Sequence, residues 1–193
     1  MSASNPLQFL DERRSVPSKQ LAEPGPDAAT LHRMLAAAVR VPDHGKLVPF
    51  RFLHIQGSAR HQLGDALATL TLQRDPAAPA AVVEKDRGRF SHAPDVIAVI
   101  ARLTPGHKVP EQEQLLTAGS VCFALLQAAQ ALGFGAQWLT GWMAYDADVS
   151  ALLGLAANEH VVGFIHIGTA KLDAPERERP DVDALLSQWQ PEI

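Results

Sequence analysis

The sequence predicts an α+β fold: a small mixed or antiparallel sheet flanked by helices, built as one domain over residues 1–193. Three observations carry this. Strand-like runs alternate with long helical patterns along the whole chain. "DVIAVIARL" (95–103) is a short β-branched run between two loops, as a buried strand requires. "LLTAGSVCFALLQAAQAL" (115–132) is apolar around most of its helical circumference. No repeat, low-complexity block or convincing linker divides the 193 residues, a length that can bury a substantial core.

Each element follows in order. "NPLQFLDERRS" gathers Leu7, Phe9 and Leu10 on one side and predicts a short helix ending near Ser15. "SVPSKQLAEPGP" is a loop, with prolines at 17, 24 and 26 and Gly25. Asp27 caps "DAATLHRMLAAAVRVP", where Leu31, Met34, Leu35 and Ala38 recur at helical spacing until Pro42 stops the helix. "FRFLHIQ" (50–56) alternates apolar and polar residues as a strand does. "SARHQLGDALATLTLQR" (58–74) predicts a helix, followed by a polar Pro/Ala-rich stretch over 75–80. The 95–103 strand leads to the long helix, which Gly133 closes. Beyond it come a strand in "FGAQWLTG" (134–141), a short capped helix in "DADVSALLGL" (146–155) and a core strand in "HVVGFIHIGTA" (160–170). From Leu172 the chain is a polar, Pro-rich arm with a terminal apolar patch, laid over something, such as a partner subunit.

Composition removes several function classes. The net charge of −4 argues against a nucleic-acid binder. The single cysteine, Cys122, excludes an internal disulfide framework and suits a reducing cytoplasm. No charged start leads into an apolar signal core, so secretion is not expected. The 115–132 segment approaches the length of a membrane span, but Gln127 and Gln130 interrupt it and "PEQEQ" precedes it. A helix buried in a core or subunit interface is the better reading, and it predicts a dimer.

Familiar catalytic motifs are absent. No G-x-G-x-x-G opens a helix after a strand, and there is no P-loop, H-E-x-x-H or G-x-S-x-G. The eight histidines are scattered, so no metal site is expected. His54 and His166 fall in strand patterns and read as hydrogen-bonded structural residues, and Cys122 reads as an inert core thiol.

Two basic clusters and one aromatic strand remain. In "ERRS" (12–15), Arg13 and Arg14 could complement a helix end, or could offer forked donors to a phosphate with Ser15 adding a hydroxyl. In "RVPDHGKLVPFRF" (40–52), Arg40, His44 and Lys46 surround a turn that Asp43 can fix by bonding its following backbone. That cluster is either a solvated helix end or a cationic corner. In "QWLTG" (137–141), Trp138, Leu139 and Thr140 offer an aromatic plane with nearby donors, or plain core packing.

Taken together, R-R-S after the first helix, R-x-P-D-H after the second, and P-[aromatic]-x-F opening a strand resemble the FMN-dependent nitroreductase family, in its compact bacterial NAD(P)H branch. The resemblance continues through "HKVPEQEQ" (107–114) and "TAGSVCFALLQAAQALGFGAQWLTG" (117–141) and ends in "VVGFIHIGTA". It implies a homodimer with the long helix at its centre and two FMN sites, each built from both chains. It also implies electron transfer from NAD(P)H to a nitroaromatic, a quinone or a similar small oxidant, with no side chain acting as nucleophile or proton donor. By the same resemblance, Arg13, Arg14 and Ser15 bind the flavin; since a phosphate needs paired donors, Arg13 and Ser15 are expected to take it, with Arg14 turned to phosphate, ribityl chain or ring edge. Arg40 and His44 reach the flavin from the other subunit, and Trp138, Leu139 and Thr140 lie beside its ring. Ala128–Gly133 matches a segment assigned to the nicotinamide cofactor. A fixed cation at the ring's pyrimidine edge, Arg40 or Lys46, would favour the reduced state. A C-terminal cation at the phosphate could be Lys171, Arg177 or Arg179. One departure stands out: larger members carry P-S-x-x-N-x-Q-P-W where this chain has "PDHGKLVPF", so their ring contacts do not transfer. Two other classes stay open, a flavin-binding dimer that senses or stores, and a flavin-free helical interaction protein.

Overall fold

A computed structural model describes residues 5–191. Its sheet has five strands: β1 (Leu21–Ala22), β2 (Phe50–Gln56), β3 (Asp95–Arg102), β4 (Gly135–Leu139) and β5 (Glu159–Ala170). β5 is the spine. β3 pairs along one edge of β5, and β2 pairs with β3. β4 pairs along the other edge of β5, from Phe164 to Gly168, and β1 pairs with Thr169 and Ala170 at the end of β5, where Gly25 packs against Pro94 and Asp95. Every pairing is antiparallel, which resolves the mixed-or-antiparallel expectation.

Seven helices surround it among the described residues: α1 (Gln8–Asp11), α2 (Ala28–Ala38), α3 (Ser58–Arg74), α4 (Ala80–Arg87), α5 (Glu111–Ala131), α6 (Ala147–Leu152) and α7 (Val182–Leu185). Successive side chains of a strand face opposite ways, so β3 feeds two cores. Ile97, Val99 and Ala101 join Met34 of α2 and Val121 and Leu125 of α5. Val96, Ala98 and Ile100 join Leu67 of α3, Phe90 and Met143. Hence β3 is buried on both faces and reads as an unbroken apolar run.

Several boundaries obey local chemistry. The Asp27 carboxylate accepts from the Thr30 N–H at 2.7 Å, an N-cap for α2. α5 ends where Gly133 takes the left-handed φ of 82° that reverses the chain into β4. The Asp146 carboxylate accepts from the N–H groups of Asp148 and Val149 and starts α6.

Four expectations need correction. The first helix stops at Asp11, so Arg13–Ser15 lie outside any helix; Val16 N–H donates to Ala136 O at 3.0 Å and draws that segment alongside β4. α2 ends at Ala38, ahead of Pro42. α4 occupies part of a region without a predicted element, held against α3 by buried Val83 and Asp86. His166 is buried but has no hydrogen-bond partner on either ring nitrogen, whereas His54 bonds Asp95 at 2.8 Å as expected. Cys122 is buried and its thiol is pushed up to about 12 by burial, in keeping with an inert core role. No helix of the described residues is long and apolar enough to cross a membrane.

Candidate functional site

β4 and the segment ahead of β1 position a groove on the α5 face of the sheet. The strand alternation turns Ala136 and Trp138 toward α5 and Leu139 toward the opposite face. Trp138 lies across β5 because residue 163 is glycine: a Cβ there would come within 1.9 Å of the indole nitrogen. The indole N–H donates to Val162 O at 3.3 Å.

The groove holds about 600 Å³, and Arg13, Ser15, Phe123, Leu126, Trp138, Thr140, Tyr145 and Val162 line it. One end is cationic and hydroxylic. Arg13 Nη1 donates to Ser15 Oγ at 3.3 Å. The Arg13 guanidinium is pushed below the ordinary arginine range, first by burial and then by Arg179, Arg14 and Arg177 nearby. Glu176 pairs with both Arg14 and Arg179, whereas Arg13 has no carboxylate partner among the described residues. The rest of the groove is an apolar wall from α5, Phe123 and Leu126, facing the Trp138 indole.

The predicted residues divide. Arg13, Ser15, Trp138 and Thr140 share this groove. Arg14 turns the other way, donating to the Asp11 and Arg13 carbonyls and pairing with Glu176. Leu139 lines a pocket on the far face of the sheet. Arg40 lies at the end of α2, in a depression shared with Arg33, Ala128 and Leu132. His44 Nδ1 contacts Glu113 Oε2 at 2.6 Å, tying the corner to the first turn of α5, and Lys46 is exposed beside it. Of the C-terminal cations, Arg179 donates to Arg13 O at 3.2 Å and Arg177 is close, whereas Lys171 lies nearer His92.

The corner itself is strained. Asp43 accepts from the Leu47 and Val48 N–H groups at 3.2 and 2.8 Å, the side-chain-to-backbone bonding expected of it. Around it Lys46 and Val48 adopt φ of 54° and 49°, in the region L-residues avoid and β-branched ones most of all. Such strain collects where a backbone is shaped for a task.

Sequence reasoning missed Phe123, Leu126, Tyr145 and Val162. Phe123 and Leu126 carried a signal, being three apart on one helix face, but their apolar neighbours hid which face looks onto a groove.

A two-core α+β fold with a cation-and-aromatic groove beside its central strand defines the class, and the chain belongs to the Nitroreductase family, which matches residues 10–169. It is 34% identical over 168 residues to an Escherichia coli K12 protein named "Putative NAD(P)H nitroreductase YdjA", covering 87% of this chain and 90% of that one. In fold it is similar to a nitroreductase-like family protein from Bacillus cereus, with a TM-score of 0.83 at 20% identity, covering 99% of this chain and 100% of that one. It is likewise similar to a Desulfovibrio desulfuricans protein named a "putative nitroreductase" and solved in complex with FMN, with a TM-score of 0.76 at 22% identity, covering 98% of this chain and 100% of that one.

Proposed function

We propose that this chain is an FMN-dependent oxidoreductase that takes hydride from NAD(P)H and passes electrons, by ping-pong turnover, to a nitroaromatic, a quinone or a similar small electrophile. It works as a homodimer in the reducing cytoplasm. Family membership and the names of the relatives support the cofactor pair. The observation that carries the reading is the groove: Arg13, without a carboxylate partner among the described residues, and a serine hydroxyl at one end, an aromatic and aliphatic slot at the other. That donor set fits a phosphate joined to a flat ring.

FMN, when bound, supplies the hydride-accepting and electron-donating chemistry. The protein's residues do the rest. Arg13 and Ser15 bind the phosphate, with Arg177 or Arg179 reinforcing them. Phe123, Leu126 and Trp138 wall the ring and exclude water, and Thr140 contributes a polar contact at its edge. Arg40, His44 and Lys46, absent from the groove of their own chain, serve the groove of the partner. The apolar side chains of Leu115, Leu116 and Phe123, exposed along α5, support a second copy seated there.

Arg13→Ala tests the phosphate assignment. The variant should purify colourless or lose its flavin on dilution; full-strength flavin absorbance in that variant would refute the role. A storage or sensor role is separated by anaerobic NADPH or NADH: the enzyme's yellow band bleaches within the turnover time, and a store's does not.

A further inference from the structure

On the sheet face opposite the groove, a second pocket of about 450 Å³ opens between α4, β4 and the turn that starts at Ser18. His166 lies at its inner end, only 1% exposed, stacked on Phe90 at 5.7 Å and 13°. Both of its ring nitrogens lack a hydrogen-bond partner. Burial, and secondarily His92, lowers its pKa to about 4, so near neutrality the ring is uncharged, with one donor and one acceptor unused. Buried polar groups in that state are rare and costly. Leu139 and Met143 form the pocket's middle, and Lys19 and Lys85 are exposed at its mouth. Arg89 also lines it, but its Nε donates to Asp86 Oδ1 at 2.6 Å. The acid on the wall, Glu84, pairs with Arg87 at 3.1 Å.

We propose that this pocket binds a small apolar carboxylate carrying a hydroxyl at its far end, the carboxylate held by Lys19 and Lys85 and the hydroxyl by His166. A hydroxyl suits either ring nitrogen, because it can donate to one or accept from the other. The apolar middle selects an organic body over a bare phosphate, and the open lysines, not the committed Arg89, take the charge. The site is separate from the FMN groove and does not depend on the function proposed for it, since the sheet lies between them.

The test titrates 4-hydroxybenzoate into the full chain as purified, with calorimetry and histidine-ring nitrogen NMR as readouts. Saturable binding that shifts one buried histidine is expected, and benzoate, lacking the hydroxyl, should bind about tenfold more weakly. The Lys19→Ala/Lys85→Ala double variant, altered only at exposed positions, should weaken 4-hydroxybenzoate by about the same factor. Absence of saturation at millimolar ligand, equal binding of benzoate, or indifference to the lysine changes would overturn the site. So would a titration that perturbs the flavin spectrum in place of the histidine signal, which places the ligand in the other groove.

Discussion

Arg51 and Glu159 link β2 to the start of β5 through a two-pronged contact, Nε to Oε1 at 2.7 Å and Nη2 to Oε2 at 2.8 Å. Chiefly through the hydrogen bonds from Arg51, and against the burial that opposes it, the Glu159 carboxyl is held down at about 2. A folded-state pKa below the unfolded one gives stability that is complete above the ordinary glutamate range. It drains as pH falls from about 4.5 toward 2. Glu159→Gln should therefore cost about 1.5–3 kcal/mol at pH 7. Denaturant titrations at several pH values should show that difference shrinking toward pH 2. His166 works on the same side of neutrality. Its lowered pKa means the unfolded chain takes up a proton that the fold refuses, so stability declines from pH 6.5 down to about 4. Gly163 is the third residue whose role is local: Gly163→Ala should push the Trp138 indole off β5, shift tryptophan fluorescence and weaken FMN binding while the fold persists. Wild-type flavin affinity in that variant would mean the indole's resting place is irrelevant to the groove.

At the scale of elements, α5 decides most. Its inner face carries Val121, Cys122 and Leu125 in the core, and its outer edge leaves Leu116 62% exposed and Phe123 45% exposed. Leu116→Asp places a charge on that edge without touching the core. Light scattering should show the proposed dimer dissociating to monomer, with flavin lost in the same fractions; a monomer that keeps its flavin would separate the two properties. The elements legible in the sequence are those whose periodicity is framed by hard punctuation. β2 begins after Pro49 and ends before Gly57, and α3 fills Ser58–Arg74, both as expected. α4 escaped because its apolar signal is weak and its stability comes from contact with α3. β1, two residues long, has no period to read. The groove was legible as residue types, but adjacent Arg13 and Arg14 diverge because Val16 bonds into β4 and fixes which side faces the groove. No spacing rule reports that. The strand pattern of β5 placed His166 in the sheet; it did not tell that nothing there would meet its nitrogens.

At the scale of the whole molecule, the sheet separates two faces with different chemistry. The α5 face carries the arginine-and-aromatic groove, and the opposite face carries the lysine-rimmed pocket over His166. Within one chain the strained corner around Asp43 is tied to α5 through His44 and Glu113, outside the groove that holds Arg13. If those cations act on a flavin, they act across an interface. Co-expressing differently tagged Arg13→Ala and Arg40→Ala chains and isolating the mixed dimer is the direct measurement, because each altered homodimer damages both of its sites whereas the mixture rebuilds one. Flavin titration should find a single site of wild-type affinity in the mixed dimer and weak binding in either altered homodimer. An Arg40→Ala homodimer with full flavin affinity, or a mixed dimer with no restored site, would contradict a cofactor held jointly by two chains.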